Sequence, residues 1–301
     1  MTHCQLGMHQ LTGTNFAYQH HSLERCLRDM AQFGRRHFEL WGIAPHADIG
    51  AMDLQEARSL AKLLDSYGMS ALCLTPEQVA YPVNIASPDP GLRQRSIDHF
   101  KHAVHLCSVL GADFLFLTSG RGAEDEPKEV AWERSRDALA EITAYSDRYG
   151  LRCLLEPLQR VESNLVIRSA HAARMLEEVD SPNLGVCLDT VAMAAAGETV
   201  ETYLTALPDL IWHVHLVDGT PTGHLAWPEG NLDLGAILAS LAQAGYTGMM
   251  TTELFGSGRY ALAPQMAFRR SFETIEREMA SLATGATGTP GKRVPEYRQF
   301  N

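Results

Sequence analysis

Four ionisable side chains in this chain close four separate apolar runs: Glu156 after Cys-Leu-Leu, Asp189 after Val-Cys-Leu, His215 in Trp-His-Val-His and Glu253 after Met-Met-Thr-Thr. A buried carboxylate without a partner costs several kcal/mol, so each needs something to hold. Two glutamates, an aspartate and an imidazole form an oxygen-rich donor set that suits Mn²⁺, Mg²⁺, Co²⁺ or Ni²⁺ better than a structural zinc, which favours thiolates and histidines. Taken singly, each carboxylate has a plainer reading as a helix cap or as a partner of an arginine such as Arg160. For four residues at equivalent strand ends that reading needs four separate coincidences. His213 shares a strand face with His215 and reads as a core histidine beneath the site. Asp218 either orients a ligand or caps a turn, the turn being the commoner role. Trp41, at the end of an apolar run and next to Gly42, is the tryptophan best placed to line a pocket.

Positioning those groups requires strands that lie side by side. Apolar runs at residues 4–9, 37–41, 71–74, 114–117, 151–156, 184–188, 211–217 and 249–254 read as strands. Amphipathic stretches at 22–33, 53–67, 92–110, 131–149, 170–179, 200–207, 234–244 and 264–282 read as helices, with Ser22 as a cap and Gly34, Gly68, Gly111 and Gly150 as stops. Strands that alternate with helices are parallel, and eight such units close most simply into a single-domain α/β fold, the (β/α)8 TIM barrel, over residues 1–282. An open doubly wound sheet lacks its own signal, since no glycine-rich phosphate fingerprint follows the first strand. In a barrel, chemistry gathers at the C-terminal strand ends, where Glu156, Asp189, His215 and Glu253 stand. The loop at 75–90, with four prolines, is long enough to cover a site. Residues 283–301, rich in Gly and Thr and then basic and aromatic, read as a tail that is flexible or docks on another subunit.

A net charge of −11 over 301 residues, without a basic stripe, opposes a nucleic-acid partner. No run is long and apolar enough to span a bilayer and no leader-like order opens the chain, so the expectation is a cytoplasmic protein without a membrane partner. The cysteines at 4, 26, 73, 107, 153 and 187 lie mostly within apolar runs. They read as small buried hydrophobes rather than a disulfide frame or a thiolate metal site.

The order Glu156, Asp189, His215, Glu253 resembles the metal set of the xylose isomerase-like TIM-barrel superfamily of sugar isomerases and epimerases. The likeness is closer to the fructoselysine 3-epimerase and ketose 3-epimerase branches and runs along most of residues 5–275. It is carried by Leu-Trp41-Gly-Ile-Ala-Pro-His46, Thr75-Pro-Glu77 with Tyr81-Pro82-Val-Asn84, Leu-Glu156-Pro-Leu, Glu162-Ser163-Asn164, His213-Val-His215-Leu-Val-Asp218 and Pro228-Glu229-Gly230. The resemblance implies that Glu156, Asp189, His215 and Glu253 hold one divalent ion, Mn²⁺ foremost, and that Glu156 and Glu253 act as acid and base. It places Trp41, His46, Tyr81, Glu162 and His224 at the sugar, and implies a homo-oligomer, dimer or tetramer. Free-ketose 3-epimerases carry a histidine three residues after the ligand aspartate and an arginine six after the ligand histidine. Ala192 and Pro221 stand there instead, which shifts weight toward the fructosamine-type branch, with His224 taking over a polar contact.

The implied reaction is inversion at C3 of a ketose or ketosamine through a cis-enediolate, whose charge a divalent ion stabilises. An aldose-ketose isomerase or a 3-keto-glycoside lyase would use the same site. A phosphodiesterase on abasic DNA needs more histidines and a basic face, and a non-catalytic metal-binding subunit is the remaining alternative.

Overall fold

The structure, a computed structural model, describes residues 6–220 and 222–284. Its strands are β1 (Leu11–Gly13), β2 (His37–Gly42), β3 (Ser70–Pro76), β4 (Phe114–Thr118), β5 (Arg152–Glu156), β6 (Leu184–Asp189), β7 (Ile211–His215) and β8 (Met249–Thr252). Between and after them run α1 (Leu23–Gln32), α2 (Leu54–Ser66), α3 (Pro90–Leu110), α4 (Lys128–Asp147), α5 (Ser169–Val179), α6 (Thr190–Ala195), α7 (Val200–Ala206), α8 (Leu234–Gln243) and α9 (Pro264–Thr284). All strand pairs are parallel, in the order β1-β8-β7-β6-β5-β4-β3-β2. An isolated parallel bridge between Thr14 and Glu39 joins the two ends, leaving a nearly closed TIM barrel.

Local chemistry sets the helix ends. Ser22 accepts the Arg25 N–H, and Asp53 accepts those of Gln55 and Glu56 while Glu56 reaches back to the Asp53 N–H, a reciprocal cap. Asp89 caps α3, which starts on Pro90, where a missing N–H costs nothing. Gly111 ends that helix at φ 68°, a left-handed turn that glycine adopts without strain.

Three expectations are corrected. The first strand is Leu11–Gly13 rather than 4–9, of which residues 4 and 5 lie outside the described ones; Met8–Gln10 forms a 3-10 turn instead. Gln10 enforces it, its Oε1 accepting the Gly7 N–H at 2.9 Å and its Nε2 donating to the Gly248 carbonyl at 2.9 Å. A further short helix, α6, follows β6 without an intervening loop, because Asp189 ends the strand and caps the helix at once. The last helix runs to Thr284, and the rest of the tail, 285–301, lies outside the described residues.

The main apolar core lies between the strands and the helices. A smaller cluster of Leu72, Cys73, Phe114, Phe116, Leu154 and Cys187 stands apart from it. Side chains two apart on a strand share a face, so Leu154 and Glu156, Cys187 and Asp189, His213 and His215, and Thr251 and Glu253 form inward-facing pairs. In three of the pairs an apolar or hydroxyl member plugs the barrel and an ionisable member caps it; in the fourth His213 lies beneath His215. Gly185 lets β6 pass its neighbour, since a Cβ there would lie 2.2 Å from the Trp212 ring. Among the described residues no helix is long and apolar enough to cross a membrane. Cys26, Cys73, Cys107, Cys153 and Cys187 are free and buried.

Candidate metal centre and substrate pocket

The ends of β5, β6 and β7 and the residue after β8 bring Glu156, Asp189, His215 and Glu253 together, with one donor atom from each within 4.8 Å of the others. His215 Nδ1 lies 2.9 Å from Glu156 Oε1, 3.2 Å from Glu253 Oε2 and 4.0 Å from Asp189 Oδ2. Glu156 Oε1, Asp189 Oδ2 and His215 Nδ1 are buried and have no hydrogen-bond partner. Three unsatisfied lone-pair donors facing one point are costly unless a cation occupies it, so this donor set fits a divalent ion. Asp189 is both helix cap and site residue: Oδ1 accepts the Ala192 N–H at 2.6 Å, leaving Oδ2 for the centre. Arg160 does not neutralise Glu156; it pairs on the surface with Glu124 at 2.5 Å.

The electrostatics follow from crowding. With no cation between the groups, burial first and then the Asp189 and Glu253 charges hold the Glu156 carboxyl up at about 8, against the pull of His215. Burial lowers His215, but the neighbouring Cys187, followed by the Glu253, Glu39 and Glu156 carboxylates, outweighs it and raises the imidazole well above its ordinary value. Burial likewise opposes a charged His224, yet Asp189, Glu253 and Glu162 lift it to about 9. Burial raises Glu162 above its ordinary value, with the negative Asp189 and Glu253 adding to the effect.

Above the centre lies a cavity of about 260 Å³. Its apolar walls include Phe16, Trp41, Ile43, Val79, Leu158 and Phe255, and its polar lining includes Glu77, Gln78, Glu162 and His224. Phe16 packs between Trp41 and Phe255, with ring centroids at 4.0 and 3.8 Å. The loop after β3 is pinned over this space. Gln78 donates to the Thr118 carbonyl and hydroxyl and accepts the Ile85 N–H, while Glu77 accepts the Trp41 indole N–H at 3.1 Å and the Val79 and Ala80 amides. His224 Nε2 stands 3.3 Å from Asp189 Oδ2 and 3.5 Å from Glu253 Oε2, its ring against Phe255 at 4.5 Å.

Of the residues placed at the sugar by resemblance, Trp41, Glu162 and His224 line this cavity and His46 and Tyr81 do not. The His46 ring is engaged elsewhere, Nδ1 with the Asn15 side-chain amide at 3.0 Å and Nε2 with the His21 carbonyl at 2.7 Å. Ala192 lines the cavity, whereas Pro221 lies outside the described residues. Asp218 takes the turn role, its carboxylate accepting the N–H groups of Gly219, Gly230 and Leu232. Sequence reasoning missed Glu39. This wholly buried carboxylate in β2 accepts hydrogen bonds from Thr75 (2.8 Å) and Thr251 (2.7 Å) and faces His213 Nε2 at 3.0 Å and His215 Nε2 at 3.1 Å. Its signal was a charged residue midway through an otherwise apolar strand, between Phe38 and Leu40.

Barrel and site together define a class: residues 27–278 match the model of the xylose isomerase-like TIM barrel, and the chain belongs to that family. Among particular relatives, the fructoselysine 3-epimerase of Shigella flexneri is 30% identical over 261 residues, 85% of this chain and 93% of that protein. A solved L-ribulose 3-epimerase superposes with a TM-score of 0.74 at 24% identity, covering 92% of this chain and 94% of its own. The IOLI protein, solved with a bound zinc atom, superposes with a TM-score of 0.72 at 19% identity, covering 93% and 99%. The chain is therefore an isomerase, of the epimerase type.

Proposed function

We propose that this protein is a divalent-metal-dependent 3-epimerase acting on a ketose or, preferentially, a ketosamine of the fructoselysine type. The observation that carries the reading is the cluster of unsatisfied donors on Glu156, Asp189 and His215 at the floor of the cavity, with Glu253 beside them. The ion these four residues would hold, Mn²⁺ foremost, supplies Lewis-acid stabilisation of negative charge as the carbon next to the carbonyl loses its proton. Glu156 and Glu253 each direct one oxygen at the centre and keep a second to take up and return that proton. Phe16, Trp41 and Phe255 exclude water from the reacting face.

Charge supports the preference for a ketosamine. Five carboxylates line the cavity (Glu77, Glu156, Glu162, Asp189 and Glu253) and neither lysine nor arginine is among the described lining residues. Set against the two charges of a divalent ion and a protonated His224, the five carboxylates still leave the cavity negative, a field that disfavours phosphorylated or carboxylated sugars and accepts the protonated amine of a ketosamine. Glu162 is placed to receive that amine or a hydroxyl, and His224 to contact a substrate oxygen. The 30%-identical relative named fructoselysine 3-epimerase points the same way.

The test is a substrate panel offered to Mn²⁺-loaded protein, comprising fructoselysine, other Amadori sugars, free ketoses, a 3-keto-glycoside and ketose phosphates, with products identified by NMR. A C3 epimer from the ketosamine, with little turnover of phosphates, is expected. An aldose or an eliminated aglycone as the product would replace the epimerase with an isomerase or a lyase.

A further inference from the structure

We infer that Glu39 is the positioning residue of the metal centre: from inside the barrel it fixes His215 in the one tautomer and ring orientation that turns a lone pair toward the ion. The inference rests on the metal reading proposed above and deepens it.

The argument is a count of donors and acceptors. An ionised carboxylate only accepts, and hydroxyls and N–H groups must supply what it faces. Oε1 of Glu39 takes the Thr75 hydroxyl at 2.8 Å and faces His215 Nε2 at 3.1 Å; Oε2 takes the Thr251 hydroxyl at 2.7 Å and faces His213 Nε2 at 3.0 Å. Neither an arginine nor a lysine reaches it among the described residues, and its side chain is 1% exposed. An unsatisfied carboxylate at that depth would cost several kcal/mol, so both histidines must carry their proton on Nε2.

For His215 the consequence is direct. In the neutral imidazole that a metal ligand must be, a proton on Nε2 leaves Nδ1 as the lone pair, and Nδ1 is the atom that faces Glu156, Asp189 and Glu253. Phe116 fixes the ring plane, stacked on His215 with centroids 5.3 Å apart and planes 10° from parallel. Thus one nitrogen is anchored, the face is packed, and the other nitrogen has a single direction. His213 shares the anchor and has an unpartnered Nδ1, which makes it the second donor that Glu39 needs rather than a ligand. Two carboxylate oxygens, two hydroxyls and two imidazole N–H groups then satisfy one another.

Glutamine at position 39 keeps the shape but replaces one accepting oxygen with a donating amide, which meets an N–H or a hydroxyl head-on. Mn²⁺ titration of the full-length wild type and Glu39→Gln, by calorimetry or by the EPR signal of free Mn²⁺, is the experiment. Alongside it, the visible absorption of the Co²⁺-loaded proteins reports the ligand field. The expected result is a rise in Kd of about 10- to 100-fold, the usual effect of losing such an outer partner, together with a shifted Co²⁺ band and an unchanged circular dichroism spectrum. A purely structural Glu39 would lower the melting temperature and leave Kd within about twofold and the Co²⁺ band in place, which overturns the inference. If Glu39→Gln does not fold, Thr75→Val carries the same test with a several-fold rise expected, and an unchanged Kd and spectrum overturning it. Wild-type protein that fails to bind Mn²⁺ would remove the metal reading itself. Wild type that binds, with a variant binding equally well, removes only the role of Glu39.

Discussion

Nδ1 of His215 lies 2.9 Å from Oε1 of Glu156, and neither atom has a hydrogen-bond partner. Two acceptors held that close require either a shared proton or a shared cation. With a cation as the working state, Glu156→Gln removes a ligand charge and an acid-base group together. Steady-state kinetics with saturating Mn²⁺ are expected to show kcat reduced by about 10²- to 10⁴-fold, and calorimetry to show weaker binding of the ion.

Metal removal is expected to cost stability as well as activity, because the empty centre confronts three carboxylates with one imidazole. An ion that binds only the folded state contributes about 2.7 kcal/mol at a hundred times its Kd. Thermal melts of protein stripped with a chelator and then given back Mn²⁺ should show a lower melting temperature and its recovery.

Glu162 sets a pH dependence. Its pKa is raised by burial, with Asp189 and Glu253 adding to the effect, so the carboxylate is complete only well above the ordinary 4.5 and is lost as pH falls through the raised value. A substrate amine or hydroxyl is best held by the ionised form, so kcat/KM should decline on the acid side with a midpoint above 4.5. Glu162→Gln is expected to lower the plateau about 10- to 100-fold, the worth of a charge-assisted hydrogen bond, and to lose that contribution to the acid limb. A pH–rate profile of both proteins checks this.

The loop that delivers His224 is held by Asp218, whose carboxylate accepts three backbone N–H groups. Gly230 is packed against it so closely that a Cβ would lie 2.3 Å from Asp218 Oδ1 and 2.5 Å from the Gly219 carbonyl. Gly230→Ala and Asp218→Ala should each destabilise by about 1–3 kcal/mol and raise KM, read by urea unfolding and by kinetics.

The barrel and the convergence of Glu156, Asp189, His215 and Glu253 could be read from sequence because both rest on local signals. A carboxylate straight after an apolar run, as at Glu156 and Asp189, marks a strand end that faces something polar, and glycines such as Gly34 and Gly111 marked helix stops. What was missed depends on distant partners. Leu11–Gly13 is too short for a periodic signal and is a strand only because Met250–Thr252 pair with it. Thr190–Ala195 follows its strand with no intervening loop, its cap Asp189 being also the last residue of the strand. The role of Glu39 depends on hydroxyls and imidazoles from β3, β7 and β8, which only the closed barrel brings to it. His46 was placed at the sugar by motif, yet its ring is engaged by Asn15 and the His21 carbonyl outside the cavity.

The most direct test is solvent exchange at C3 of the substrate. Protein stripped of metal and reloaded with Mn²⁺ is incubated with fructoselysine in D₂O, and both epimers are followed by NMR. Proton transfer by Glu156 and Glu253 at a metal centre predicts deuterium at C3 of the product, with exchange abolished by the chelator and restored by Mn²⁺. Epimerisation that retains the original hydrogen at C3, or that continues at full rate under exhaustive chelation, would contradict it.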